Sequence, residues 1–357
     1  MYPLKTEQPF LRNAWYVVAW GNEIGDKPLA RTILEEPIVL YRTNAGKPVA
    51  LWGLCPHRLA PLDMGSIRDD TIVCPYHGFA FDADGECVDI PIAETRPPNC
   101  RLKSYPVIER GPFLWIWMGD PAHADLNKLP DASDIGLGDD STGWRVDPGI
   151  THHLNARAQL LVDNLFDLTH LAFVHSNSAP AGSRELALAR PAITRKDGRM
   201  RFARTMPDVP FGPDTLASYL LPEETGVVDF TLFTEMYNIC LINACGPLII
   251  RRGENGGEDT EIAMMNFIHV ATPETRHSTH YFGAITRNFR IDDDKFSQDW
   301  VERDIRVRSE DVVLLEEIER RGVPYGDLAT EVSVFSDAGA LQIRGLIQRW
   351  FESEAVT

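Results

Sequence analysis

Apolar positions in the first third of the chain fall in short runs. "NAWYVVAW", "RTILEEPIVLYR", "PVALWGLC", "TIVCPYHGFAFD" and "PFLWIWMG" are rich in Val, Ile, Trp, Phe and Tyr, with Gly, Pro and Asp between them. Each reads as a strand bounded by turns, which predicts a small all-β domain over residues 10–120. "GDPAHADLNKLPDASDIGLGDDSTG" breaks the pattern; polar and rich in Gly, Pro and Asp, it reads as a linker over 121–148. From 149 to 357 the periods mix. "AQLLVDNLFDLTHLAFVH" lacks Gly and Pro and is apolar on one side, so the spacing predicts a helix. "FTLFTEMYNICLINACG", "IAMMNFIHVATP" and "STHYFGAITRNF" read as strands, and "FSQDWVERDIRVRSEDVVLLEEIERRG" as a long amphipathic helix stopped by Gly322 and Pro324. Strands and helices without regular βαβ alternation give an α+β fold class.

Composition narrows the function. A chain of 357 residues has room for two domains with real cores. Its formal net charge of −17 argues against a nucleic-acid binder, which would carry a basic patch. No stretch approaches the roughly 20 apolar residues of a membrane span, and the N-terminus lacks a signal peptide's apolar core, so a cytoplasmic location is expected. Six cysteines are too few for a disulfide scaffold in a chain of this length. Cys87, Cys100, Cys240 and Cys245 stand without metal-type neighbours and read as buried or free thiols.

Cys55 and Cys74 differ. Cys55 with His57 forms C-x-H, and Cys74 with His77 forms C-x2-H, with sixteen residues between the pairs. Zinc knuckles usually begin C-x2-4-C and pair like residues, so one cysteine and one histidine per knuckle is a poor match to zinc. A two-iron cluster explains the mixture, both cysteines on one iron and both histidines on the other. That is the Rieske arrangement, in which neutral imidazoles replace two thiolates and raise the potential.

A cluster of this kind moves electrons and has no open position for a substrate, so a second centre is sought in the rest of the chain. "DNLFDLTHLAFVH" holds Asp163, Asp167, His170 and His175 among Leu, Val, Phe and Ala, groups costly to bury unless paired or metal-bound. Residues five apart on an ideal helix point ~140° away from each other. His170 and His175 reach one ion only if the helix bends or ends between them, and "SNSAPAGS" just beyond supplies a stop. Asp167, on the face of His170, is expected to accept a hydrogen bond from that histidine's other nitrogen. Two histidines and a carboxylate form the facial triad of non-haem Fe(II) oxygenases. In the last helix Val307, Leu314, Leu315 and Ile318 make an apolar stripe; Asp311 sits on it, while Glu310, Glu316, Glu317 and Glu319 fall mostly on the wet face. Asp311 is the first choice for the carboxylate and Asp304, one heptad earlier, the second.

These motifs resemble the oxygenase (alpha) component of the Rieske non-haem iron oxygenases, in particular the single-subunit group that includes vanillate O-demethylase and dicamba monooxygenase. The resemblance runs through "CPHRLAPLDMG", "CPYHGFAFD", "LLVDNLFDLTHLAFVH", "ITRNF" and "SEDVVLLEEIE". It implies an N-terminal Rieske [2Fe–2S] domain and a C-terminal catalytic domain of helix-grip, START-like form, with an antiparallel sheet and helices. It implies that Cys55, His57, Cys74 and His77 hold the cluster, and that His170, His175 and Asp311 hold a mononuclear non-haem Fe(II) that uses O2. Asp167 matches the family's bridging aspartate between neighbouring subunits, which implies a homotrimer, and Asn164 matches a position near the iron. Phe79 stands where many relatives have Trp.

The implied activity is O2-dependent hydroxylation of a small aromatic compound, most simply oxidative O-demethylation of a methoxy-aromatic acid. Electrons would pass through His77, Asp167 and His170. Ring dihydroxylation and methyl hydroxylation are the neighbouring alternatives; a non-catalytic Rieske electron-transfer protein is the alternative of a different class. No G-x-G-x-x-G follows a strand and no ferredoxin-type cysteine set exists. Electrons should therefore come from NAD(P)H through a separate reductase carrying flavin and [2Fe–2S], or through a ferredoxin in a three-component system. Asn243, Asn266 and His269, in predicted strands, are candidates for orienting the substrate, and no arginine or lysine stands out as a carboxylate clamp.

Overall fold

The computed structural model describes residues 9–178, 185, 189–196, 198–210, 227–253, 257–322 and 331–354. The chain divides into two units. One runs to Leu129 and takes in Thr272–Arg276; the other holds Pro130–Ala271 and the chain from His277 onward.

The first unit is all β. Its strands are β1 (Trp15–Trp20), β2 (Leu29–Ile33), β3 (Glu36–Arg42), β4 (Pro48–Trp52), β5 (Ser66–Arg68) and β6 (Thr71–Val73). After these come β7 (Ala80–Phe81), β8 (Cys87–Asp89), β9 (Ser104–Tyr105), β10 (Val107–Arg110) and β11 (Phe113–Trp117). They form three small sheets ordered β1-β11-β10, β2-β3-β4-β9 and β5-β6-β7-β8. "RTILEEPIVLYR" is a hairpin and not the single strand expected. Leu34 and Glu35 take positive φ of 51° and 68°, as a two-residue turn of the primed kind requires. Their amides donate to Pro273 O and Glu274 O, which holds two residues that are not glycine in that conformation.

The second unit carries a seven-stranded sheet ordered β12-β18-β17-β16-β15-β14-β13. Its strands are β12 (Arg145–Leu154), β13 (Pro191–Lys196), β14 (Arg199–Pro210), β15 (Val227–Met236), β16 (Leu241–Arg251), β17 (Thr260–Thr275) and β18 (Ser278–Arg287). Pairing is antiparallel between β12 and β18 and from β13 through β17. "FTLFTEMYNICLINACG" is also two strands. Asn238 Oδ1 accepts from the amides of Cys240 and Leu241 (3.1 and 2.8 Å), which turns β15 into β16. Helices α1 (Ala158–Leu165), α2 (Asp294–Gly322) and α3 (Ala338–Glu354) complete the unit. The α+β expectation holds.

Two helical expectations change. The helix expected over 158–175 stops at Leu165, and His170–Ala172 is a single 3-10 turn. The apolar stripe of α2 is rotated as well. Leu314 and Ile318 are exposed, and the buried face runs through Asp304, Arg308, Asp311, Leu315 and Glu319. That charged face is buried because each member has a partner, as the cost of an unpaired interior charge demands. Arg308 Nε meets Asp304 Oδ2 at 2.6 Å, and Glu319 accepts from Arg157 at 2.7 and 3.0 Å and pairs with His277 at 2.7 Å. Cys87 and Cys240 are buried and Cys100 is half-buried; the side chain of Cys245 and the expected stop at Pro324 lie outside the described residues.

Helix α3 ties α1 in place. Arg344 pairs with Asp163 at 2.8 Å, and Gly339 lies so close that an added Cβ would collide with the carbonyl oxygen of Phe166, next to the end of α1. Gly339→Ala should therefore push α3 off the segment leading to His170. Overpacking of this kind costs about 1–3 kcal/mol. A lower thermal midpoint by several degrees is expected in a melting experiment; an unchanged midpoint would show that the contact relaxes freely.

Candidate metal centres

Two knuckles in the first unit have the same backbone plan. Cys55 N donates to Ala60 O (2.9 Å) and Leu59 N returns to Cys55 O (2.8 Å); Cys74 N donates to Phe79 O (2.8 Å) and Gly78 N returns to Cys74 O (3.1 Å). The fourth residue after each cysteine turns left-handed, Leu59 at φ 55° and Gly78 at φ 77°. Both cysteines are buried in the apolar core of this unit, with Leu62, Ile72 and Phe81. The histidines look the other way: His57 is exposed and His77 half-buried. Their rings stand 4.7 Å apart, His57 stacks on Phe79 at 4.9 Å and His77 on Tyr76 at 4.0 Å.

This donor set fits a two-iron cluster. The Cys55 and Cys74 thiols are hydrogen-bonded neighbours, and burial with that contact pushes the Cys55 thiol up to about 11. Two thiols crowded in an apolar core become favourable ligands once a cation takes their protons. His77 Nδ1 is buried without a partner, a lone pair or N–H that a metal would use. Sulfur ligands inside and imidazoles outside is also the polarity an electron-transfer centre needs.

The second site lies in the other unit. His170, His175 and Asp311 each present a ligand atom, all within 4.8 Å of one another. Asp311 Oδ1 is 3.5 Å from His170 Nε2 and 3.2 Å from His175 Nε2. The break after α1 makes this possible: the chain turns between Leu165 and His170, so two histidines five apart converge. Asp167 takes a different part from the one expected. Its backbone carbonyl meets His170 Nδ1, while its carboxylate caps Thr169, accepting from the amide at 2.8 Å and the hydroxyl at 2.5 Å. The carboxylate therefore holds the turn.

His175 Nδ1 bonds to Glu310 Oε2 at 2.6 Å, and Ser178 Oγ donates to the same oxygen at 2.6 Å. Glu310 was expected on the wet face; its position beside Asp311 lets it reach round to the far nitrogen of His175. Burial works against charge on His175, but Asp311 and Glu310 outweigh it and raise its pKa. Asn164 Nδ2 donates to Asp311 Oδ1 at 3.1 Å, and its own Oδ1 is buried without a partner. Two imidazoles, a carboxylate and an orphaned amide oxygen fit a hard divalent iron with room for more ligands. Asp304 is committed to Arg308 and takes no part.

The triad opens into a cavity with an empty volume of about 760 Å³, its mouth included, which suits a small molecule. Leu165, Leu171, Leu232, Phe267, Trp300 and Val307 make its walls largely apolar. His269 lines it too, hydrogen-bonded to Tyr281 Oη (2.5 Å) and Arg308 Nη1 (2.7 Å), and kept neutral by burial and by that guanidinium. Asn243 and Asn266 do not line it among the described residues. They bond to each other at 2.7 Å, and Asn266 reaches Thr286 at 3.1 Å, so they serve the core of the sheet. Arg303 lines the cavity, donates to Ser178 O at 3.1 Å and sits 4.9 Å over the Trp300 ring. The sequence gives no mark for it, because its helix position is set by the rotated face.

Residues 14–106 match the family model described as the Rieske [2Fe–2S] domain, and 154–353 match the vanillate O-demethylase oxygenase C-terminal domain. This chain is an oxygenase component of the Rieske non-haem iron oxygenase family. It is 34% identical over 360 residues to the toluene-4-sulfonate monooxygenase iron–sulfur subunit of Comamonas testosteroni, covering 97% of this chain and 98% of that one. Against the dicamba O-demethylase oxygenase component of Stenotrophomonas maltophilia the identity is 37% over 324 residues, 87% and 89% of the two chains. The crystal structure of dicamba monooxygenase with non-haem iron and dicamba superposes with a TM-score of 0.79 at 32% identity, covering 98% and 99%. The Rieske oxygenase is thus an oxidoreductase whose cofactors are a [2Fe–2S] cluster and mononuclear iron, with O2 as co-substrate. As one component of a system, it draws electrons from a separate protein. No helix among the described residues is long and apolar enough to cross a membrane.

Carboxylates behind a ligating histidine typically change metal affinity by 10–100-fold when removed. Glu310→Gln should weaken retention of the mononuclear iron by about that factor while leaving the cluster's visible absorbance intact. Asp311→Ala should lose that iron altogether. Iron counting against cluster absorbance separates the two; equal retention in Glu310→Gln and the parent would leave His175 oriented by its other contacts.

Proposed function

We propose that Cys55, His57, Cys74 and His77 hold the [2Fe–2S] cluster, that His170, His175 and Asp311 hold the mononuclear iron, and that the chain hydroxylates a small aromatic anion. The observation that carries this reading is the triad at one end of an apolar cavity lined by two guanidiniums, Arg303 and Arg308, the second of them already bonded to Asp304, His269 and Tyr281. When bound, the iron supplies O2 activation. The protein's part is to position and to exclude water. Trp300 and Phe267 give flat apolar surface for a ring. Arg303 offers charge to a carboxylate or sulfonate, while His269, bonded to Tyr281, Arg308 and the Ala244 backbone, shapes the wall.

Oxidative O-demethylation of a methoxy-aromatic acid is the first choice, by likeness to dicamba O-demethylase and to the vanillate O-demethylase family model. Hydroxylation of an aryl methyl group is the second, supported by the toluene-4-sulfonate relative. The discriminating experiment supplies the protein with NADH and a flavin and [2Fe–2S] reductase, then offers methoxy-benzoates and methyl-benzenesulfonates. Formaldehyde in step with O2 uptake is the expected outcome for a methoxy acid. A benzylic alcohol from the methyl arenes, with no formaldehyde, would favour the second reading; turnover of neither set would move the substrate class.

The electron path is proposed to cross between subunits of a homotrimer in the cytoplasm, from His77 of one chain to the His170 segment of the next, with Asp167 between. Exposure of the histidine side of the knuckles and partial exposure of Asp167 support it. Asp167→Asn should keep both metals and slow cluster reoxidation in a single turnover by at least ten-fold, roughly the loss of one charge-assisted hydrogen bond. Reoxidation at the parent rate, with both metals present, would sink the bridging role.

A further inference from the structure

Two cysteines outside the ligand knuckles face each other across a short stretch of antiparallel backbone. Leu102 N donates to Gly85 O at 2.7 Å, and Glu86 is bridged to Arg101. One further step in that register sets Cys87 opposite Cys100. The side chains of Glu86 and Arg101 pair at 3.1 Å, both more than half exposed, on the outer face. Alternation along the backbone therefore turns Cys87 and Cys100 inward. Burial agrees: Cys87 and Leu102 are buried, Arg101 between them in register is exposed, and Cys100 is half-buried. The two thiols are hydrogen-bonded to one another.

Residues directly opposed in an antiparallel pair have Cα atoms roughly 4.5–5.5 Å apart. Disulfides span about 4.4–6.8 Å, and the contact between the two thiols places them within reach of one. We propose that Cys87 and Cys100 form a peroxide-sensitive dithiol that closes to an intrachain disulfide, separate from the cluster ligands Cys55 and Cys74. The oxidant is hydrogen peroxide, the two-electron reduction product of O2. Cys100, the more accessible sulfur, attacks one peroxide oxygen; the O–O bond breaks, a sulfenic acid forms and water leaves. The Cys87 sulfur then attacks the sulfenic sulfur. The S–S bond forms, the S–O bond breaks, and the Cys87 proton departs with the hydroxyl as a second water. Burial and the Cys100 contact push the Cys87 thiol up to about 12, which makes it a slow nucleophile and leaves it the second, resolving step.

The bond would close the base of the strap 88–99. Arg96 Nη1 already folds that strap back, donating to Cys87 O at 2.7 Å and Val88 O at 3.2 Å. Pro91 on the strap lies against Gly78, where an added Cβ would come within 3.0 Å of Pro91 Cγ. Gly78 is the left-handed residue of the second knuckle, so oxidation staples the segment that backs a ligand loop.

The test treats cluster-loaded protein with a small excess of hydrogen peroxide, alkylates remaining thiols, and maps peptides without reduction. Expected are a loss of two hydrogens per chain and a peptide joining Cys87 to Cys100, both reversed by dithiothreitol. Cys100→Ser, checked for parent-like visible absorbance, should give no linked peptide. A sulfinic or sulfonic acid on Cys100 with Cys87 still alkylated would overturn the proposal. A link from either residue to Cys55 or Cys74 would overturn it as well.

Discussion

The proposed iron site depends on one conflict between local structure and aim. His170 and His175 must share a point, and a continuous helix through both would turn them ~140° apart. The chain gives up helix after Leu165, which leaves backbone groups that must find other partners. Thr234 Oγ1, beside a bulge in β15, donates to Leu165 O at 2.8 Å. The Asp167 carboxylate takes the amide and hydroxyl of Thr169, and the Asp167 carbonyl meets His170 Nδ1. An irregular segment becomes fixed because its polar groups are used up.

Against that segment stands a regular element. Helix α2 is 29 residues long, and its inward face is a sequence of charges, each answered. Arg308 is the centre of the answer: it bonds to Asp304, His269, Tyr281 and the Ile268 carbonyl. Interior ion pairs of this kind contribute little net stability but fix geometry, because breaking one leaves a charge stranded. The network locks the rotation of α2 against β17 and β18, and so the direction of Asp311. Rigid helix and pinned turn meet at the triad, with Asn164 joining Asp311 to α1.

The proposed cluster site was the more legible in sequence. Cys55, His57, Cys74 and His77 lie in compact motifs whose residue types and spacing name their chemistry, and the knuckles need little beyond their own turns. The triad was legible in part. His170 and His175 could be paired by the cost of burying them, but the helix stop was read ten residues late, since Leu165–Leu168 carries no Gly or Pro. Asp311 was reached through a stripe that Leu314 and Ile318 do not form; they are exposed, and pairing let a polar face go inward instead. Glu310, Ser178 and Arg303 went unread because their roles depend on how α2 sits on the ligand segment. Asn243 and Asn266 show the opposite error: polar residues of neighbouring strands bonded to each other inside the sheet, with Asn243 Oδ1 left buried without a partner.

Glu310 and Asp311 are neighbours in sequence, and their side chains leave α2 about 100° apart. One faces the point where the histidines converge; the other reaches the far nitrogen of His175. Two functions a residue apart, on a helix whose rotation Arg308 and Asp304 fix about one and two turns earlier, leave no slack in chain length. An insertion or deletion between Asp304 and Asp311 would swing both carboxylates away together, whereas a substitution alters one at a time. Through this stretch the enzyme can diversify by exchange of side chains but not by indels, and changes of length must be taken up elsewhere.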